Sequence, residues 1–104
     1  MTVINLTPEE VQAALEGGDT LLIDVREPGE FDAERIEGAI NMPLSSFDPA
    51  ALPVGQGKRV ILSCAGGVRS VTALNAAQGA GLSLEEHLAG GLRAWKMAGL
   101  PTES

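Results

Sequence analysis

The sequence predicts an α/β domain with a mostly parallel sheet, and two observations carry this prediction. Two apolar runs of strand length, Thr20–Val25 and Arg59–Cys64, have the composition of strands that are buried on both faces of a sheet. Helical patterns with recognisable starts and stops separate the predicted strands. Strands that alternate with helices favour a parallel sheet, and 104 residues suit one domain over residues 1–104.

The first 43 residues contain three predicted strands and two predicted helices. A short strand at Val3–Asn5 precedes a helix that starts at Thr7–Glu10, where the sequence TPEE supplies a capping threonine, a proline and a capping-box glutamate. The glycines at 17–18 end this helix. Beyond the strand Thr20–Val25, the polar segment 26–38 is expected to contain a short helix, and AINMP a short strand.

The second half continues the alternation. Segment 45–53 has room for one or two helical turns, and the turn GQGK leads into the strand Arg59–Cys64. A helix is predicted within Val68–Ala80, a strand at Leu84–Leu88 and a final helix over 90–99 with a glycine stop. The residues expected on the buried face of the long helix are Val71, Leu74 and Ala77.

Composition excludes several classes of function. The formal net charge is −7, and residues 1–37 hold ten acidic against two basic residues, so binding to nucleic acid or an anionic membrane is not expected. One cysteine cannot form an internal disulfide, and a lone Cys64 and a lone His87 do not make a metal site. The absence of a signal peptide or an apolar run of membrane-spanning length predicts a reducing, cytoplasmic setting. No cofactor is expected.

The segment from Cys64 to Arg69 is the strongest candidate for chemistry. The cysteine ends a buried strand, and ligands of open α/β sheets bind at the carboxyl ends of the strands. The turn Ala65-Gly66-Gly67-Val68 can point backbone N–H groups at one spot, and the following helix start and the Arg69 charge also favour an anion. The nearest such anion is the Cys64 thiolate, whose pKa should fall. Two competing interpretations are a buried structural cysteine and a phosphate cradle, although CAGGVRS lacks the Walker ending.

Two further polar residues stand in predicted strands. His87 lies beside Glu85 and Glu86, and we expect it to face solvent and not to serve as a general base. Asp24 ends an apolar run, where an unpaired carboxylate is costly, so it should pair with an arginine or a neighbouring loop. Two roles stay open for Asp24: it braces the cysteine turn, or it only terminates its strand.

Three segments together resemble the rhodanese family: LLIDVREPGEFDAERIEGAINMP, VILSCAGGVRS and LAGGLRAWKMAGLP. The resemblance spans about Leu6 to Pro101 and implies a three-layer α/β/α sandwich around a five-stranded, mostly parallel sheet. It implies that Cys64 accepts sulfur as a persulfide and that the backbone amides of Ala65–Arg69 cradle that sulfur. The side-chain roles it implies are that Arg69 holds an anionic donor and that the loop is supported by Asp24, Arg26 and Ser70.

The implied reaction moves sulfur from thiosulfate or a similar donor to cyanide or a thiol, including the thiol of a sulfur-accepting protein. Related phosphatases place five residues between cysteine and arginine, whereas four stand here, and the shorter loop favours sulfur over phosphate. Arsenate reduction by the same loop, and a non-catalytic carrier or regulatory module, are two further functions that the sequence leaves open. Two departures from the family pattern are Glu34-Arg35, where members often have Gly-His, and the neutral Ala65, where some have a base.

Overall fold

The computed structural model describes residues 2–104 and confirms the α/β fold, with a five-stranded sheet at its centre. The strands are β1 (Ile4–Leu6), β2 (Thr20–Asp24), β3 (Ile40–Asn41), β4 (Arg59–Ser63) and β5 (Glu86–Leu88). The helices are α1 (Pro8–Glu16), α2 (Pro28–Ala33), α3 (Val68–Gly79) and α4 (Gly91–Met97), and single 3-10 turns lie at Leu44–Ser46 and Pro49–Ala51. None of the helices within residues 2–104 has the length and apolar character needed to cross a bilayer.

The strand order is β1-β5-β4-β2-β3, and every neighbouring pair runs parallel. The two apolar strands that the sequence singles out, β2 and β4, are neighbours through five residue pairs from Thr20↔Arg59 to Asp24↔Ser63. Strands β5, β4 and β2 lie inside the sheet, which leaves β1 and β3 at its edges. All five strands therefore end at the same edge of the sheet, which is where the loop after β4 lies.

The core lies in two layers, one on each face of the sheet. Successive side chains of a strand point to opposite faces, so Leu22 and Ile61 enter one layer, and Ile23 and Leu62 enter the other. The first layer is completed by residues of α1 and α4: Val11, Leu92 and Trp95. The second is completed by residues of α3: Ala73, Leu74 and Ala77. Helices therefore cover both faces, as the three-layer prediction requires.

Most predicted elements are confirmed, with shifts of one or two residues at their ends. The capping box of α1 is present, since the Thr7 hydroxyl accepts from the Glu10 amide at 3.1 Å and the Thr7 amide donates to the Glu10 carboxylate at 2.9 Å. The predicted buried face of α3 needs one correction. Val71 is only half-buried, because the helix is turned so that Ser70 and Ala73 face the sheet.

Glu34 and Arg35, the pair that departs from the family pattern, fasten the C-terminal segment to the body of the domain. The Glu34 carboxylate accepts from Lys96 Nζ at 2.8 Å and from the Thr102 hydroxyl at 2.7 Å. Arg35 forms an antiparallel bridge and an ion pair at 3.3 Å with Glu103. Both residues of the pair therefore connect the segment after α2 to residues 96–103.

Candidate active site

The candidate active site is the loop of residues 64–67, which joins the end of β4 to the start of α3. Cys64 is 1% exposed and contributes to the core layer beneath α3. The chain after β2 runs alongside this loop, since the Val25 amide donates to the Ser63 carbonyl at 2.9 Å. The sequence-based placement of the cysteine at the carboxyl edge of the sheet is therefore confirmed.

Three hydrogen-bonding groups surround the Cys64 sulfur. The Gly67 amide donates to Sγ at 3.1 Å, the Ser70 amide lies at 3.3 Å, and the Ser70 hydroxyl lies at 3.4 Å. Burial raises the pKa of the Cys64 thiol, but the hydrogen bonds with Ser70 and Gly67, together with the nearby Gly66 amide, outweigh it and leave this pKa below its ordinary value. A thiol placed in this way is predisposed to react as a thiolate.

Two glycines allow the loop to pack against the start of α4. Gly67 has φ +95°, a conformation that side chains rarely adopt, and a Cβ there would come within 2.9 Å of the Gly90 nitrogen. Gly91 has φ +59°, and a Cβ there would overlap the Cys64 carbonyl oxygen. This close approach lets the α4 amides of Leu92 and Arg93 donate to the Cys64 and Ala65 carbonyls at 2.8 and 3.0 Å.

The Arg69 guanidinium is engaged in a bidentate ion pair with Glu30 of α2. Its two terminal nitrogens donate to the two carboxylate oxygens at 2.7 and 2.9 Å. These bonds hold the pKa of Glu30 at about 2 and raise that of Arg69. The expectation that Arg69 holds an anionic donor stays a prediction, and such a donor would have to share or displace the Glu30 carboxylate.

Asp24 and Arg26 form a buried ion pair at the end of β2, as the sequence predicted for Asp24. Both residues are 4% exposed, and their closest contact joins Arg26 Nη2 to Asp24 Oδ2 at 2.8 Å. Arg26 also donates to the carbonyls of Glu30 and Glu34, at 3.3 and 2.7 Å. The pair thereby holds α2, the helix that carries the partner of Arg69. Support of the cysteine loop by Asp24 and Arg26 stays a prediction.

His87 does not face solvent, so this expectation was wrong. The side chain is 3% exposed because β5 lies between β1 and β4 and is covered on both faces. Its Nδ1 lies 2.8 Å from the Ser70 hydroxyl, and its Nε2 lies 2.6 Å from Asn5 Oδ1. The histidine is therefore connected to the cysteine through one hydroxyl group.

Sequence reasoning missed Glu30, Asn5 and the role of His87. Glu30 is 39 residues from Arg69, and Asn5 is 82 residues from His87, so no local spacing reveals either pair. The sequence did contain one signal for His87, which precedes the apolar Leu88 in a short predicted strand. A polar side chain that is buried in such a strand needs hydrogen-bond partners, because burial without them is costly. Ser70, which the sequence did nominate, is the residue that joins His87 to the loop.

A shallow cleft of about 370 Å³ adjoins the loop at Ala65. Its apolar walls come from Leu92 and Met97, and two basic side chains of α4, Arg93 and Lys96, stand at its rim. Lys96 is paired with Glu34.

Comparison with known proteins places this architecture in a family. The model of the rhodanese-like domain matches residues 7–98. The chain belongs to the rhodanese-like domain family. A Synechocystis protein of undescribed function, slr1261, is 43% identical over 101 residues, and the chain spans 97% of its own length but only 56% of that relative.

Two further relatives match the chain over nearly their whole length. The thiosulfate sulfurtransferase GlpE of Actinobacillus succinogenes is 30% identical over 106 residues, which cover all of this chain and 94% of that one. The crystal structure of a rhodanese-related protein from Thermoplasma volcanium superposes with a TM-score of 0.81 at 27% identity, and covers 99% of this chain and 98% of that one. The three-layer fold and the family are both confirmed.

Proposed function

We propose that this rhodanese-like domain transfers sulfur through a persulfide on Cys64. The observation that carries the proposal is the convergence of the Gly67 and Ser70 amides and the Ser70 hydroxyl on the Cys64 sulfur. The two amides stabilise negative charge on that sulfur and on a sulfur bonded to it, and the Ser70 hydroxyl, which accepts from the thiol in the resting protein, can donate to the thiolate. Sulfur transfer by the Actinobacillus relative, named a thiosulfate sulfurtransferase, agrees with this chemistry.

In the first half-reaction the Cys64 thiolate attacks the outer sulfur of thiosulfate or a similar donor. A bond forms between Sγ and that sulfur, the original S–S bond breaks, and its electron pair leaves with sulfite. The product is an anionic persulfide.

In the second half-reaction a nucleophilic acceptor attacks the outer sulfur of the persulfide. Cyanide yields thiocyanate, and a thiolate yields the persulfide of the acceptor. In both cases the electron pair of the broken S–S bond returns to Cys64 as a thiolate. The same amides that favour the thiolate in the resting protein stabilise this leaving group, so no metal or organic cofactor is needed for either step.

The geometry favours sulfur transfer over phosphate or arsenate chemistry. A transferring phosphoryl group presents three equatorial oxygens, each of which needs a donor. The loop has four residues between Cys64 and Arg69, one fewer than the related phosphatases, and so offers fewer backbone amides to such a group. A single sulfur atom needs no such clamp, because two backbone amides and one hydroxyl already surround its position.

The decisive experiment compares thiocyanate formation from thiosulfate and cyanide with hydrolysis of an aryl phosphate. We expect repeated turnover of thiosulfate, negligible phosphate release, and no thiocyanate from the Cys64→Ser variant. Thr72→Ala, on the exposed side of α3, is a matched control that should retain turnover. Phosphate release without thiocyanate would overturn the proposal. Loading of one sulfur without turnover would contradict an enzyme and identify the carrier module instead.

A further inference from the structure

A continuous chain of hydrogen bonds runs from the reactive sulfur to the edge of the sheet. Cys64 Sγ lies 3.4 Å from Ser70 Oγ, Ser70 Oγ lies 2.8 Å from His87 Nδ1, and His87 Nε2 lies 2.6 Å from Asn5 Oδ1. Cys64, Ser70 and His87 are at most 3% exposed, whereas Asn5 is exposed. The four side chains come from the cysteine loop, α3, β5 and β1.

The donors and acceptors in this series of hydrogen bonds have one consistent direction. Asn5 Oδ1 can only accept, so His87 Nε2 carries a hydrogen and the Nδ1 of the neutral ring is an acceptor. Ser70 must then donate its hydroxyl hydrogen to Nδ1, which leaves the Ser70 oxygen as the acceptor for the Cys64 S–H. The resting arrangement therefore has a route for the thiol proton from Cys64 through Ser70 to His87.

We propose that Ser70 and His87 form a proton relay that generates the Cys64 thiolate. The thiol proton passes to the Ser70 oxygen as the Ser70 hydroxyl proton passes to His87 Nδ1, while Nε2–H stays bonded to Asn5. One S–H bond and one O–H bond break, one O–H bond and one N–H bond form, and the products are a thiolate and an imidazolium. Ser70 then donates to the thiolate. His87 acts through Ser70 and is a positioning residue that stores the proton.

The groups around His87 leave the Cys64 thiolate as the anion that can stabilise its imidazolium form. Burial lowers the pKa of His87, so an isolated imidazolium is disfavoured there. Its sheet partners are Asn5 on β1 and Leu62 on β4, neither of which is charged. The nearby charged groups on the elements around it are engaged elsewhere: Glu86 with Arg59, and Arg69 with Glu30. Glu85 precedes β5 and makes no side-chain hydrogen bond or ion pair among those found within residues 2–104.

The relay can be tested on the unaltered chain, because it has one cysteine and one histidine. The ring of His87 is labelled with ¹⁵N and titrated by NMR before and after methyl methanethiosulfonate converts Cys64 to a neutral methyl disulfide. Linkage is reciprocal, so if the imidazolium favours the thiolate, loss of the thiolate must lower the pKa of His87. We expect a fall of about one pH unit or more, the range in which coupled sites share macroscopic values. A smaller change would overturn the relay.

Two variants separate the relay from a structural role of His87. Ser70→Ala removes the connecting hydroxyl, so capping Cys64 should no longer move the His87 titration, whereas the control Thr72→Ala should behave as the wild type. His87→Asn offers Ser70 an acceptor that cannot be protonated. At pH 6 its Cys64 should be alkylated by iodoacetamide about tenfold more slowly than in the wild type, as expected for a thiol pKa about one unit higher, and the rates should converge above pH 9. Identical pH profiles would refute the proposal.

The relay rests on the proposed function only in taking Cys64 as the reacting thiol. None of these measurements uses thiosulfate or cyanide, so their outcome is independent of the thiocyanate assay. A coupled titration without thiocyanate formation would leave the relay standing and reject the sulfur-transfer proposal. Thiocyanate formation with an uncoupled His87 would reject the relay alone.

Discussion

Replacing Gly91 with alanine should destabilise the domain through its effect on the cysteine loop. Gly91 has φ +59°, and a Cβ there would overlap the Cys64 carbonyl oxygen and lie 2.7 Å from the carbonyl carbon and oxygen of Ala65. Neighbouring α4 amides bond to those same two carbonyls, so the helix cannot move away from the loop without breaking both bonds. The substitution therefore combines backbone strain with steric overlap.

Gly99 provides a matched control for the size of this effect. It has φ +78°, and a Cβ there would meet no atom within 4 Å. The left-handed conformation costs an L-residue about 1–2 kcal/mol, and both variants incur this cost. Overpacking adds about 1–3 kcal/mol, and only Gly91→Ala incurs it. We therefore expect losses of about 1–2 kcal/mol for Gly99→Ala and about 2–5 kcal/mol for Gly91→Ala.

Urea unfolding followed by circular dichroism measures both free energies of unfolding. Because small domains are stable by about 5–15 kcal/mol, both variants should still fold, with clearly separated midpoints. Gly91→Ala should also slow alkylation of Cys64, since it displaces the loop, whereas Gly99→Ala should not. If Gly91→Ala proved no less stable than Gly99→Ala, the tight contact between α4 and the cysteine loop would be refuted.

Two ion pairs give further predictions. Asp24→Asn leaves the buried charge of Arg26 unpaired and should lower the free energy of unfolding in urea by about 3–5 kcal/mol. The control Glu86→Gln breaks a more exposed pair and should lower it by less than about 1 kcal/mol. Equal losses in the two variants would contradict a buried Asp24–Arg26 pair. Glu30 has a folded pKa of about 2 against 4.5, so its pairing with Arg69 stabilises the fold above pH 4.5 and is lost towards pH 2. Glu30→Gln should reduce the loss of unfolding free energy between pH 4.5 and pH 2 by less than about 1 kcal/mol, since the Glu30 side chain is 40% exposed. If the variant and the wild type lost the same stability over this range, the contribution of the Glu30–Arg69 pair would be contradicted.

The sequence predicts well those parts of the fold that depend on residues close together in the chain. The TPEE start of α1 is confirmed because the capping box lies within four residues. The two central strands are recognisable because burial on both faces demands an unbroken apolar run, as in Leu21–Ile23 and Val60–Leu62. The position of Cys64 in a loop after β4 is predictable because the residue follows an apolar strand and is followed by two glycines and a helix start. Its catalytic role stays a prediction.

The parts that could not be predicted depend on contacts between distant segments. His87 was misplaced because a three-residue strand gives no sign of whether it lies at the edge or inside the sheet. The pairing of Arg69 with Glu30 depends on how α2 lies against α3, which the polar sequence of α2 does not specify. The face of α3 was predicted around Val71, whereas the hydroxyl of Ser70 is turned inwards to Cys64 and His87.

The central claim is that Cys64 carries sulfur as a persulfide, and the mass of the intact protein tests it most directly. After incubation with thiosulfate and removal of excess donor, the wild type should gain the mass of one sulfur atom, and cyanide should remove it with release of one thiocyanate. Because the chain has one cysteine, the Cys64→Ser variant should gain nothing. An unchanged mass in the wild type, or the same gain in Cys64→Ser, would contradict the account.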